Sequence, residues 1–419
     1  MKYLFIVTEF ESANGICVQA VMECLSKKHQ VYCITNREWG MPEEFVKDKV
    51  ICKTVKPRLT YRINSAIRKS TAPVRVKSIL RKVAHIMERI KLLMFLPFWP
   101  WISPLYTRRI GHIAKNLCSK ENIQCIVPVY TQIDTLIVAN KIKKHNADML
   151  YVPYFLDSLS GGYGLRVFSG EQTIKKGLEW EHKLLDNADE IIAMESSREH
   201  HKRFSRNASY YNRIRYFDLP LLYQRTIESD NLLMSKECCN LVYVGTLPQG
   251  IRSPLFLLST LTLIPGENFR FYFIGTKTCI QLNDAAARDS RIKVIGQVNH
   301  DVALKYIAQS DIVMNIGSSN PNMTPSKIFE YMSFGKPIIS TAPIQNEPSK
   351  LYLKKYPMAL VIDESAVEIN QAAMMMLSFI KDYAGLSVEL NSIKDKFFYN
   401  TPDSVAAFLD KITGLNIIC

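Results

Sequence analysis

Ten cysteines in 419 residues form no C-x-x-C pair and no Cys/His cluster at zinc-like spacing, and they are too scattered for a disulfide framework. That excludes a stapled secreted module and a zinc ribbon and points to a reducing compartment; the adjacent Cys238 and Cys239 read as structural. The opening MKYLFIVTEF is too short for a signal h-region and lacks a small-residue cleavage site. No low-complexity tract occurs, and 47% hydrophobic with 22% charged residues excludes a disordered chain. The glycine pattern G-x-G-x-x-G is missing between Val7 and the first helix, which argues against a nicotinamide enzyme. The eight histidines make no metal pattern and no DxD-type motif stands in a suitable loop, so neither a metal nor a cofactor is expected.

What is present is enough chain for two cores, and an uneven charge. Of a net +14, most sits in residues 51–91, where twelve Lys or Arg face the single acid Glu88. LLMFLPFWPWISPL follows (92–105), uncharged, with two tryptophans, two phenylalanines and three prolines. It is too short and too proline-broken for the roughly 20 residues of a spanning helix, but it can lie on a bilayer. Cations beside an apolar, Trp-rich segment suit anionic headgroups, each adding about 1 kcal/mol near the surface. The expected partner of the arm at 51–105 is therefore an anionic membrane surface and not nucleic acid, whose binders interleave aromatic with basic residues. A core segment beside a solvated helical face is the rival.

Short β-rich runs alternate with helical stretches, which is the sequence form of βαβ units. Strands are expected at 2–7, 31–35, 125–129, 149–155 and 190–194, and again at 241–245, 269–275, 292–296, 311–317 and 337–341. The expected fold class is α/β, with two Rossmann-like domains whose parallel sheets face across a cleft. The expected division is residues 1–222, a polar linker at 223–239, a second domain at 240–395, and a terminal helix within 396–419 that packs back on the first domain.

The segment NPNMTPSKIFEYMSFGKPIIST (320–341) is the most informative. Thr324 can cap a helix that begins at Pro325 and stops at Gly335. Lys327 falls in the first turn, where a cation opposes the helix dipole unless an anion sits there. Glu330 leaves the same face. Such a set can hold a nucleoside diphosphate, with helix amides and Lys327 on phosphate and Glu330 on the ribose hydroxyls; an ordinary i,i+3 surface pair is the equal alternative. Asp157, in YFLDSLSGGYG, is where a carboxylate could orient or deprotonate an acceptor hydroxyl, and Gly161 and Gly162 would let backbone approach a sugar. An Asp before Ser and Gly is also an ordinary turn or cap residue.

PSKIFEYMSFGKPII, LVYVGTL with Arg252 shortly after, RFYFIG, KVIGQV and ALKYIAQSDIVMNIG follow one another in an order that resembles the GT-B glycosyltransferases, in particular glycosyltransferase family 4 of bacterial cell-surface polysaccharide synthesis. The resemblance covers residues 240–345 closely and the first half more loosely, through Gly15 after the first strand and LLDNADEIIAMESS (184–197). It implies that Glu330 is the second carboxylate of the family's Glu–seven residues–Glu signature, with Asn322 where the first would be. The family's G-R-L-x-x-x-K-G reads GTLPQGIR here: Thr246 replaces the Arg, and Arg252, one position past the nominal Lys, supplies a cation.

The resemblance implies transfer of a sugar from a nucleoside diphosphate sugar, UDP first, with retention at the anomeric carbon. Catalytic candidates are Asp157, Arg252 and Lys327. Donor-binding candidates are Gly15, Gly245, Thr246, Gly275, Asn322, Pro325, Ser326 and Glu330. The expected acceptor is a saccharide, polyprenyl-linked, met at the cytoplasmic face of the cell membrane by a peripherally bound enzyme. The alternatives are a GT-B sugar-nucleotide epimerase and a membrane adaptor with a dead transferase domain.

Overall fold

A computed structural model describes residues 1–10, 12–38, 40–70, 73–94, 100, 102–161, 169–225, 227, 233–275, 279–321 and 326–415. It divides into two compact units, Met1–Pro220 with Pro402–Cys419, and Leu221–Thr401. The second unit thus begins before the polar stretch 223–239, whose described residues belong to it, and runs past 395.

In unit 1 the elements are β1 (Lys2–Ile6), α1 (Ala13–Ser26), β2 (Gln30–Asn36), β3 (Glu44–Lys47), β4 (Val50–Val55), α2 (Leu59–Lys69), α3 (Val74–Met94), α4 (Pro104–Glu121), β5 (Cys125–Pro128), α5 (Ile133–His145), β6 (Leu150–Tyr151), β7 (Tyr154–Phe155), α6 (Gly170–Leu185), β8 (Ile191–Met194), α7 (Arg198–Phe204) and β9 (Ile214–Phe217). Six strands form one sheet in the order β3-β4-β2-β1-β5-β6, parallel except for β3. Apolar runs such as KYLFI suit a sheet covered on both faces, and four of those five residues are buried.

The run 149–155, expected as one strand, is two. Pro153 has no N–H for the ladder, so β6 closes the large sheet and β7 opens a separate parallel sheet, β7-β8-β9.

Unit 2 carries β10 (Cys239–Val244), α8 (Leu255–Leu263), β11 (Phe269–Ile274), α9 (Ile280–Arg288), β12 (Ile292–Gly296), α10 (His300–Gln309), β13 (Ile312–Ile316), α11 (Ser326–Ser333), β14 (Ile338–Ala342), α12 (Ser349–Leu353), β15 (Ala359–Asp363), α13 (Ile369–Tyr383) and α14 (Leu390–Lys394). Its sheet is wholly parallel, in the order β12-β11-β10-β13-β14-β15.

The last helix, α15 (Pro402–Leu415), returns to unit 1. Its Thr413 Oγ1 lies 3.0 Å from the buried Tyr3 hydroxyl, and Asp410 sits 2.6 Å from His29 Nε2.

Beyond β7 in the chain a polar cluster ties four segments together. Buried Glu181 of α6 accepts from Ser160 N at 2.9 Å and from the Tyr210 hydroxyl at 3.0 Å, and Ser160 Oγ lies 2.9 Å from His200 Nε2. The neighbouring His201, hydrogen-bonded to Tyr216, has its pKa pushed down from 6.5 to about 4, first by desolvation and then by His200. A depressed folded pKa gives stability that is complete above 6.5 and lost as the pH falls toward 4, because only the unfolded chain takes the proton. Going from pH 7 to pH 5 should therefore cost about 2 kcal/mol through this residue. Glu181, raised by burial, titrates in the opposite sense, so urea midpoints of His201→Gln against the parent at both pH values isolate the effect. An unchanged difference between the two pH values refutes it.

Candidate functional site

Both six-stranded sheets reverse strand order at one place, β1/β5 in unit 1 and β10/β13 in unit 2. Ligands of open parallel sheets bind outside the carboxyl ends of the strands at such a point. The candidate residues gather there, separately in each unit.

In unit 2, Gly245 ends β10 and Gly275 ends β11. Gly275 has φ +95°, and a Cβ on it would lie 2.8 Å from Gly245 O, so the two loop backbones abut and leave no room for a side chain. The loop then turns at Pro248, whose carbonyl accepts from Ile251 N at 3.1 Å and Arg252 N at 3.0 Å. Ser319, in the loop after β13, donates to Ile251 O from its amide at 2.8 Å and from its hydroxyl at 2.9 Å. The loop bearing Arg252 is thereby pinned to the loop that leads toward α11. Arg252 also bonds the Tyr243 hydroxyl, whose pKa burial pushes up to about 12 against the opposing pull of that guanidinium. Thr246 is exposed, and its carbonyl accepts from the same hydroxyl at 3.1 Å.

The helix α11 is fixed at β10 by Tyr331. Its buried hydroxyl accepts from Val244 N and donates to Val244 O, each at 3.2 Å. At the other end, Gly335 (φ +63°) closes the helix where a Cβ would meet Val388 O at 2.2 Å. This holds Ser326 and Lys327 in the first turn. Lys327 Nζ is 3.4 Å from Glu330 Oε2, and Glu330 is buried. Asn322, Thr324 and Pro325 lie outside the described residues.

Three groups that the motif did not reveal complete the site. His300 opens α10 with Nε2 3.9 Å from Glu330 Oε1; desolvation lowers its pKa, with Lys327 and Arg225 acting in the same direction and Glu330 opposing. Arg225, in the stretch read as a linker, thus adds a cation near this imidazole. Buried Glu347 accepts from Ser318 N at 3.2 Å and from Ser349 N at 2.9 Å, and so anchors the loop after β13. No local spacing marks Glu347, which lies beyond β14.

In unit 1, Gly15 is not a loop residue. It sits in the first turn of α1, and its N–H is taken by the Ser12 cap at 3.1 Å. Glycine is required by close approach: a Cβ would lie 2.2 Å from Glu9 O and 2.3 Å from Phe10 O. The next cap donor up the chain, Ser12 Oγ, bonds Glu9 O at 2.7 Å. The loop so tightened carries Glu9 and Asn14 into a cavity of about 410 Å³ shared with Tyr130, Thr131, Asp157 and Ser158. Asn14 Nδ2 donates to Asp157 Oδ2 at 2.7 Å, which orients an otherwise exposed carboxylate. Burial, with the Asp157 and Glu181 charges adding, pushes the Tyr130 hydroxyl up to about 12, so it stays a donor. Gly161 donates to Ser158 Oγ at 2.8 Å; Gly162 lies outside the described residues. Glu9 was missed in the sequence because its partners come from strand ends more than a hundred residues away.

Among the described residues no three His, Cys, Asp or Glu are placed to hold a metal ion. The arrangement supplies cations and helix amides at one switch point, and two carboxylates in an open cavity at the other.

Comparison with known proteins agrees with the fold and with the nature of unit 2. Residues 238–377 match the family model "Glycosyl transferases group 1". No curated protein matches the sequence. Among solved structures, sucrose-phosphate synthase from Thermosynechococcus elongatus is similar over 100% of this chain and 99% of its own, with TM-score 0.60 and 14% identity. A glycosyltransferase from Rickettsia africae ESF-5 matches over 99% and 98%, with TM-score 0.60 and 10% identity. The lipopolysaccharide outer core galactosyltransferase WaaB matches over 98% and 100%, with TM-score 0.50 and 14% identity. The α/β architecture of two domains with parallel sheets is that of GT-B glycosyltransferases.

Proposed function

For an enzyme that carries a group 1 glycosyltransferase domain, we propose transfer of a sugar from a nucleoside diphosphate sugar, UDP-sugar first, to a saccharide acceptor. The reading rests on one observation: Lys327 and Glu330 are held at the β10/β13 switch point of unit 2, with the loop of Arg252 pinned to the loop leading toward them. The amino-terminal turn of α11 and Lys327 receive the diphosphate; Glu330 accepts from the ribose hydroxyls. As the glycosidic bond opens, negative charge grows on the leaving diphosphate, and Arg252 and Lys327 stabilise it in place. Gly245 and Gly275 leave backbone free to approach the nucleotide, with Thr246 and Ser326 beside it.

In unit 1, Asp157, oriented by Asn14, receives the acceptor hydroxyl in the cavity it shares with Glu9. Retention at the anomeric carbon, a place in family 4 and a role in cell-surface polysaccharide synthesis follow from the resemblance and belong to this proposal. So does a polyprenyl-linked acceptor at the inner face of the cell membrane.

A thermal-shift panel of nucleoside diphosphate sugars tests the donor site. UDP-sugars should raise Tm by several degrees, as expected when a ligand near 100 times its Kd adds about 2.7 kcal/mol. Glu330→Ala should lose most of that shift. If no nucleotide stabilises the parent, the donor assignment fails and an inert adaptor takes its place; turnover of UDP-sugar without any acceptor would instead favour an epimerase.

A further inference from the structure

The helix α3 is an anomaly for a folded protein. Over its 21 residues, VRVKSILRKVAHIMERIKLLM, Val76, Ile79, Leu80, Val83, Ile86, Met87 and Ile90 are all exposed, from 43% for Val76 and Leu80 to 61% for Ile79. Their spacing of three and four places them in one stripe. Arg81, His85 and Arg89 leave the other side of the helix, Arg75 and Lys82 border the stripe, and all five are exposed too. A contiguous apolar strip of this length on a soluble surface marks a contact made elsewhere.

We propose that α3 is the element by which this chain docks on an anionic lipid surface, lying in the headgroup plane with its stripe toward the acyl chains. At 1.5 Å per residue the helix covers about 31 Å of that plane. It does not cross: among the described residues no helix is long and apolar enough to span a membrane. Charge selects the occupant. The helix carries six Lys or Arg against the single Glu88, which suits phosphate headgroups and opposes pairing with a second copy of itself. The same unit has a cavity of about 1220 Å³ bordered by Arg108, Arg109, Lys115, Lys141 and Lys144 and by no Asp or Glu, so the bias toward anionic partners is not confined to the arm. The Trp-rich residues 95–99 and 101, expected to be the apolar half of this contact, lie outside the described residues; the stripe on α3 supplies one without them.

This gives the membrane-side acceptor of the preceding reading a docking element, and its test does not depend on donor binding. The full chain is sedimented with vesicles of equimolar phosphatidylglycerol and phosphatidylcholine, and with phosphatidylcholine alone. The parent should partition onto the anionic vesicles only. Ile79→Glu/Val83→Glu/Ile86→Glu, all at exposed positions, should bind at least ~10-fold more weakly, and Arg81→Glu/Lys82→Glu/Arg89→Glu should lose the preference for anionic lipid. Unchanged partitioning of the stripe variant overturns the proposal. So does a parent that ignores vesicles but runs as a dimer which the stripe variant dissolves. The nucleotide-induced Tm shift, read on the same stripe variant, should equal the parent's; its absence from both proteins alongside intact vesicle binding would sink the donor site and leave the docking helix standing.

Discussion

Lys327→Ala should lower kcat with a UDP-sugar donor by about 10²–10³-fold, the size of effect seen when one preorganised charge donor is removed from a developing anion. The lysine occupies the first turn of α11, where its charge is unfavourable to the helix by itself, and its Nζ lies 3.4 Å from Glu330 Oε2. A diphosphate arriving at that turn converts the misfit into an attraction that grows as the sugar departs. Because the interaction strengthens in the transition state, kcat and kcat/KM should fall together while KM changes little. Stability should stay within about 1 kcal/mol of the parent, since a partly exposed ion pair contributes little. Arg252→Ala should act in the same direction and also strip the Tyr243 hydroxyl of a partner. Single-turnover measurement on purified protein decides the matter: turnover of Lys327→Ala within a few-fold of the parent removes the charge clamp from the mechanism.

Gly15→Ala should combine a loss of stability with a loss of activity. The added methyl would sit against two backbone carbonyls, 2.2 Å from Glu9 O and 2.3 Å from Phe10 O, and backbone cannot swing aside as a flexible side chain does. Overpacking of this kind costs about 1–3 kcal/mol or more. The segment forced to move is the one that carries Glu9 into the unit 1 cavity and Asn14 to Asp157, and a misplacement near 1 Å can cost about 10²-fold in rate. Gly111→Ala is the control. It makes the same chemical change inside α4, where nothing lies within 4 Å of the new methyl, and should stabilise by about 0.5–1 kcal/mol through helix propensity. Urea midpoints of the two variants should shift in opposite directions and only Gly15→Ala should lose turnover; a Gly15→Ala enzyme as stable and active as the parent would show that the close approach relaxes without consequence.

The two sites differ in how far they could be read from the sequence. In unit 2 the informative residues are near neighbours in the chain: Lys327 and Glu330 are one helical turn apart, and Gly335 stops the same helix. A local period reports such a set. Arg252 was legible through its distance from Gly245, but the clasp of Ser319 on the preceding Ile251 carbonyl was not, because those two residues are 68 positions apart. In unit 1 the local signals misled. Gly15 reads as a donor-binding glycine of the loop after the first strand and lies instead in the first turn of α1, packed against Glu9 O and Phe10 O, and MLYVPYF reads as one strand although Pro153 divides it between two sheets.

By itself the sequence determined the alternation of buried strands and helices, the charged character of the arm, and the lysine and carboxylate on one face of α11. Each is set by residue type and by periods of two or 3.6, which act over a few residues. The tertiary structure alone decided that Glu9, Asn14 and Asp157 share a cavity, that Glu347 anchors a loop it does not adjoin, and that the stripe on α3 is left largely exposed. These depend on which strand ends meet at a reversal of strand order and on which faces find partners, and no residue's neighbours along the chain carry that information.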